Sequence, residues 1–192
     1  MTNIHFRNTD SEHLKECFRI ACGGFPALHN HKIIVRKIAM GKTTMRAQPV
    51  INLSFLKRKK RQFYVDFSAR LSSNQDLKVE KLPRKVLIGW FAHELGHVMD
   101  YLDRSAFQIV GFGIGYILHE HFRIGAERKA DLYAITHGFA DYIIETKKYI
   151  LEQSSFPDSY KRRIETYYMS PDEVALMARN EEAKSLRMDQ IL

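Results

Sequence analysis

His93 and His97 stand four residues apart with Glu94 beside the first, in the run His93-Glu94-Leu95-Gly96-His97. On a helix, residues four apart share a face, so both imidazoles can meet one metal ion. Glu94 sits one position round, within reach of a metal-bound water. Two neutral imidazoles and a carboxylate that takes a proton from that water are the parts of a zinc hydrolase. The plainer alternative is two ordinary histidines at helical spacing.

The flanks decide between these. Pro83 suits the first position of a helix, where its missing N–H costs nothing. After it, Val86, Leu87, Trp90, Phe91, Leu95, Val98, Met99 and Leu102 recur at three- and four-residue steps. That spacing predicts an amphipathic helix from Pro83 to Leu102. His93 and His97 lie beside its apolar stripe, facing inward or toward a cleft. Gly89 and Gly96 each cost about 1 kcal/mol against Ala in a helix. Gly96, between the histidines, is expected to admit a close neighbour.

A catalytic zinc wants a third protein ligand and one open position. Glu127-Arg128-Lys129-Ala130-Asp131 lies in a second helical stretch, Ile124 to Ile144, whose apolar spacing comes from Leu132, Ile135, Phe139, Tyr142 and Ile143. Glu127 and Asp131 share a face. The first can ligate a metal, and the second can accept the free ring N–H of a ligand histidine. His-Glu-Leu-Gly-His followed by Glu-x-x-Ala-Asp resembles the gluzincin metallopeptidases over Trp90 to Phe139. It is most similar to the branch with Ala before the Asp, which includes integral-membrane proteases and soluble relatives. The resemblance implies Zn2+ held by His93, His97 and Glu127, Glu94 as general base, and Asp131 orienting a ligand histidine. One departure is the lack of spanning helices.

His119 and His121 are rival third ligands, and either would resemble the zincins with three histidines. The metzincin spacing is absent, because His97 is followed by Val98-Met99-Asp100-Tyr101-Leu102-Asp103. Both histidines are read as loop or cleft residues. Asp100 could support His97, but beside Asp103 and Arg104 it reads as a surface charge.

The 192 residues are expected to form a single zincin-like metallopeptidase domain, with 145–192 a helical C-terminal extension. A hydrophobic share of 45% is ample for a core. Met1 to Glu16 is polar and carries no secretory signal. The longest apolar run, Phe107 to Leu118, is too short to span a bilayer, which needs about 20 residues. A cytoplasmic setting is expected, where Cys17 and Cys22 stay free as buried hydrophobes. A net charge of +8 invites a nucleic-acid partner or acidic surface. The densest basic run, Lys57-Arg58-Lys59-Lys60-Arg61, falls between strand-like segments Thr44 to Phe55 and Gln62 to Ser68. It reads first as a solvated hairpin tip, and only second as a phosphate-binding patch. Pro49 implies an edge or irregular position in its strand.

A helix is expected after Asp10 or Ser11 as cap, ending at Gly23-Gly24. His29-Asn30-His31 reads as exposed loop, Lys32 to Met40 as strand, and Ser72 to Lys81 as polar connector. Gly111, Gly113 and Gly115 make Phe107 to Leu118 a poor helix, so it reads as a flap, a substrate wall or a buried bend. Pro157-Asp158-Ser159 opens one helix, and Ser170-Pro171-Asp172-Glu173 starts another that runs to about Met188.

The order is a small N-terminal mixed β-sheet, an active-site helix, a second ligand-bearing helix and C-terminal helices. That suits an α+β, zincin-like fold. The expected activity is metal-assisted hydrolysis of a peptide or protein substrate, and an extended substrate can add to a sheet edge. His137, Tyr133, Tyr160, Arg162 and Arg163 are candidate donors to the developing oxyanion. The alternative is a zinc-bearing binding protein whose basic surface engages nucleic acid or a protein partner. Glu94 weighs against it, since a purely structural site needs no base.

Overall fold

The computed structural model describes residues 3–41, 43–71, 76–153 and 155–189. The chain runs β1 (Asn3–Arg7), α1 (Glu12–Gly23), β2 (Lys32–Lys37), β3 (Met45–Pro49), β4 (Gln62–Phe67) and α2 (Arg84–Asp103). It continues as α3 (Ala106–Leu118), α4 (Glu120–Thr136), α5 (Ala140–Glu152), α6 (Asp158–Tyr167) and α7 (Pro171–Asp189). The architecture is mixed α/β: a four-stranded sheet of order β1-β2-β4-β3, followed by helices. β1 and β2, and β2 and β4, pair in parallel, while β3 and β4 are antiparallel. β3 is therefore an edge, and Pro49 ends it, where a missing N–H breaks no central ladder.

One sheet face is apolar. Ile33, Val35, Phe63, Val65 and Phe67 are each 0% exposed. α1 and α2 cover this face, and Phe18 of α1 meets Phe91 of α2 edge-on at 5.1 Å between ring centroids. Ser11 caps α1 by accepting the Leu14 amide N–H. Cys17 and Cys22 are buried on it, and neither forms a disulfide. β1 went unread in the sequence because its five residues alternate without a strong apolar run.

α2 carries the histidines within one residue of its expected bounds, with Pro83 at its N-cap. It is the central helix, packed by α1, α4 and α5. A Cβ at Gly96 would stand 2.3 Å from the Ala130 carbonyl oxygen of α4, and one at Gly89 would stand 2.2 Å from the Tyr142 carbonyl oxygen of α5. Both contacts are too close for any side chain, so α4 and α5 can lie against α2 only at glycine.

Several expectations change. The stretch Ile124 to Ile144 is not one helix. It breaks at Gly138, with φ of +85°, and the His137 and Phe139 amides bond back to the end of α4. Buried Phe139 then stacks on Phe25 at 5.6 Å. Phe107 to Leu118 is a helix despite its glycines. Ser105 accepts from the Gln108 amide while the Gln108 side chain accepts from the Ser105 amide, and Ile109 and Phe112 are buried. The basic run is not wholly solvated either. Arg61 is 2% exposed and donates to the carbonyls of Phe55, Tyr101 and Arg104 at 2.9, 2.9 and 2.7 Å. It ties the β3–β4 loop to the C-terminus of α2, whose carbonyls lack helical partners. His31 is likewise buried, its Nδ1 3.0 Å from the Arg61 carbonyl. In the connector expected over Ser72 to Lys81, Val79 is buried in a short 3-10 turn, and 72–75 lie outside the described residues.

Candidate metal centre

α2 presents His93 and His97 one turn apart, and α4 crosses at Gly96 with Ala130 against it. Ala130 lies between Glu127 and Asp131, so this crossing sets both carboxylates opposite the imidazoles. Glu127 Oε2 stands 3.0 Å from His93 Nε2 and 3.3 Å from His97 Nε2. One ligand atom from each of these three buried residues lies within 4.8 Å of the others, a group that could hold a metal ion. Among the described residues it is the one such group. Asp131 Oδ1 stands 2.9 Å from His93 Nδ1, on the side of the ring away from the cluster.

Asp131 is itself fixed from two further elements. Its Oδ2 accepts from Lys147 Nζ of α5 at 2.7 Å and from the Met169 amide, between α6 and α7, at 3.1 Å. Burial alone would raise this carboxyl, but Lys147 and then His93 hold it below its ordinary value. Burial likewise opposes ionisation of Glu127, yet His97 and His93 hold it well below the carboxylate range. His93 feels the reverse: burial pushes it down, while hydrogen bonds to Asp131 and Glu127 raise it to about 10. The Tyr116 hydroxyl of α3 donates to Glu127 Oε1.

Glu94 differs from all of these. It is 5% exposed, and its Oε2 has no hydrogen-bond partner. Burial raises its pKa above the ordinary value, against the pull of His97 and His93. A buried, unpartnered carboxylate oxygen is costly unless something absent from the structure uses it. It stands beside two imidazoles and a carboxylate, a donor set that could hold a metal ion.

The cluster lines a cavity of about 300 Å³. Thr43 to Ala47 at the β3 edge form one wall. Tyr116, Tyr160, Arg163 and Tyr168 line it from α3, α6 and the residue after α6. The Tyr168 ring lies 5.3 Å from that of His93. Burial raises Tyr160 to about 12, with Arg163 pulling it down. Of the candidate donors, Tyr160 and Arg163 line the cavity. His137 stacks on Phe25 at 4.5 Å, Tyr133 bonds Asp103, and Arg162 is exposed.

Tyr116, Tyr168 and Lys147 were not picked out from the sequence, since lone tyrosines and a lysine carry no spacing signal. His119 and His121 are exposed and lie outside the His93, His97 and Glu127 group. Asp100, expected at the surface, is 1% exposed. It pairs with Arg104 at 2.9 Å and Lys129 at 2.5 Å, not with His97. No helix among the described residues is long and apolar enough to cross a membrane. Neither family models, nor curated proteins, nor solved structures yield a match to this chain.

Proposed function

We propose that this chain is a zinc-dependent metallopeptidase with a zincin-like fold, hydrolysing peptide bonds in a peptide or protein substrate. The observation that carries the reading is the buried, partnerless Oε2 of Glu94 beside the His93, His97 and Glu127 set. A zinc ion held by those three residues supplies Lewis acidity and an acidified water.

Glu94 Oε2 takes the proton of the attacking water and delivers it to the leaving amine. Its raised pKa suits both transfers better than an exposed carboxylate would. Asp131 accepts the Nδ1 proton of His93, leaving Nε2 free as a ligand atom. Tyr160 and Arg163 offer donors to the oxygen that gains charge as the carbonyl is attacked. The outward edge of β3, beside the cluster, offers backbone groups to an extended substrate.

The test is hydrolysis of an unbiased peptide library with and without zinc, by the wild type and by Glu94→Gln. The variant keeps the side-chain size and should keep its metal, while turnover falls at least about a hundredfold. Undiminished turnover by a zinc-loaded variant would exclude the mechanism.

A further inference from the structure

We propose that the outer face of α3 and the adjoining β3–β4 loop form a docking surface for an anionic lipid bilayer. The proposal does not depend on the chemistry at the metal centre.

α3 contains no charged residue over its 13 positions. Ile109 and Phe112 face inward, and Tyr116 reaches Glu127. On the opposite side, Phe107, Val110, Ile114, Ile117 and Leu118 are 88, 56, 56, 73 and 68% exposed. At 100° per residue these five fall within about one third of the helix circumference. A helix apolar on both sides ordinarily has a second apolar neighbour. Here no described element covers the outer side.

The loop supplies the other half. Leu53 and Leu56 are 97 and 71% exposed, and Lys57, Arg58, Lys59 and Lys60 follow directly, all exposed. Arg58 donates to the Asp103 carbonyl at 2.7 Å, and Arg61 to the Arg104 carbonyl at 2.7 Å. Those two carbonyls sit at the α2–α3 junction, so the basic run is pinned beside the N-terminus of α3. The nearby Asp103 carboxylate is taken up by the Tyr133 hydroxyl.

Protruding apolar side chains beside a cationic run match the two layers of an anionic membrane surface. The apolar groups enter the acyl boundary while the lysines and Arg58 meet the headgroups. A protein partner would bury the apolar face equally well. The tandem of lone leucines and lysines on a protruding loop favours the lipid.

The test is co-sedimentation of the full chain with vesicles of phosphatidylcholine, alone or with phosphatidylserine, alongside its sedimentation velocity without lipid. Partitioning is expected only with phosphatidylserine, and added salt should weaken it. Changing Lys57, Lys59 and Lys60 together to Gln should weaken it on the order of a hundredfold. Phe107→Ser with Ile114→Ser, or Leu53→Ser alone in case the double variant misfolds, should weaken it at least about tenfold. Absence of partitioning, indifference to lipid charge, or partitioning unchanged in all three variants would overturn the proposal. So would self-association of the lipid-free chain that Phe107→Ser abolishes, which would assign the face to a second copy.

Discussion

Asp131 shows what one carboxylate contributes to its neighbours. With its Oδ1 on His93 and its Oδ2 on Lys147 and Met169, it fixes the ring that would bind the metal. Asp131→Asn keeps the shape and loses the charge. Zinc affinity should fall about 10- to 100-fold, measured by competition with a chromophoric chelator. In the metal-free protein, His93 and Glu127 set opposing pH dependences. The folded pKa of His93, about 10, lies above its ordinary 6.5, so its stabilisation is full below 6.5 and is lost as pH rises toward 10. The folded pKa of Glu127 is depressed, so its stabilisation is present above 4.5 and is lost on acidification. Thermal melts with chelator should therefore peak between pH 4.5 and 6.5. A melting temperature still rising above pH 7 would show that these groups do not govern the metal-free state. At this scale the sequence was informative. The four-residue steps of His93/His97 and Glu127/Asp131 identified side chains that the fold brings together. Lys147 and Tyr116 were illegible because their partners are distant in the chain and follow no helical period.

Among the elements, α2 and α4 meet at glycine for a reason the residues state. Gly96→Ala gains roughly 1 kcal/mol of helix propensity but drives a methyl into the Ala130 carbonyl. Overpacking of this kind costs about 1–3 kcal/mol, so the variant should be less stable by denaturant titration. Zinc affinity should drop with it, since the same crossing carries Glu127. The close approach at Gly96 was foreseeable from a glycine lodged between two histidines. The nature of α3 was not: three glycines outweighed a readable Ser-x-x-Gln capping box, and packing of Ile109 and Phe112 decided the matter. Arg61 was misread for a similar reason. Within a run of five cations nothing marks the one whose guanidinium is buried. Arg61→Ala should strip the Phe55, Tyr101 and Arg104 carbonyls of their guanidinium donor and cost roughly 3 kcal/mol, while Lys59→Ala should stay within about 0.5 kcal/mol.

Across the whole molecule, the clustered groups of α2 and α4 are held in place from beyond those two helices. α5 runs through residue 145, and α6 and α7 are tied back to the centre of the protein. Phe156, Ile164, Met169 and Val174 are buried in the common core. Cleaving the chain after Gln153 would remove the Met169 contact to Asp131, the Tyr160 and Arg163 wall, and those four apolar anchors. Such a truncation should lose cooperative thermal unfolding and zinc retention together, not zinc alone. The sequence showed these helices by their Pro and Ser caps. It could not show their destination, because their exposed faces are as charged as their inward faces are apolar.

The bond from the Met169 amide to Asp131 has one more consequence. That N–H is 38 residues from its acceptor and lies between two helices that contribute none of the three clustered groups. Its hydrogen can leave only when this junction opens. Deuterium exchange at this single amide should therefore slow when zinc is bound and quicken with chelator, and Asp131→Asn should blunt the difference. Resolved by NMR, Met169 would act as a built-in gauge of metal occupancy, legible without any substrate.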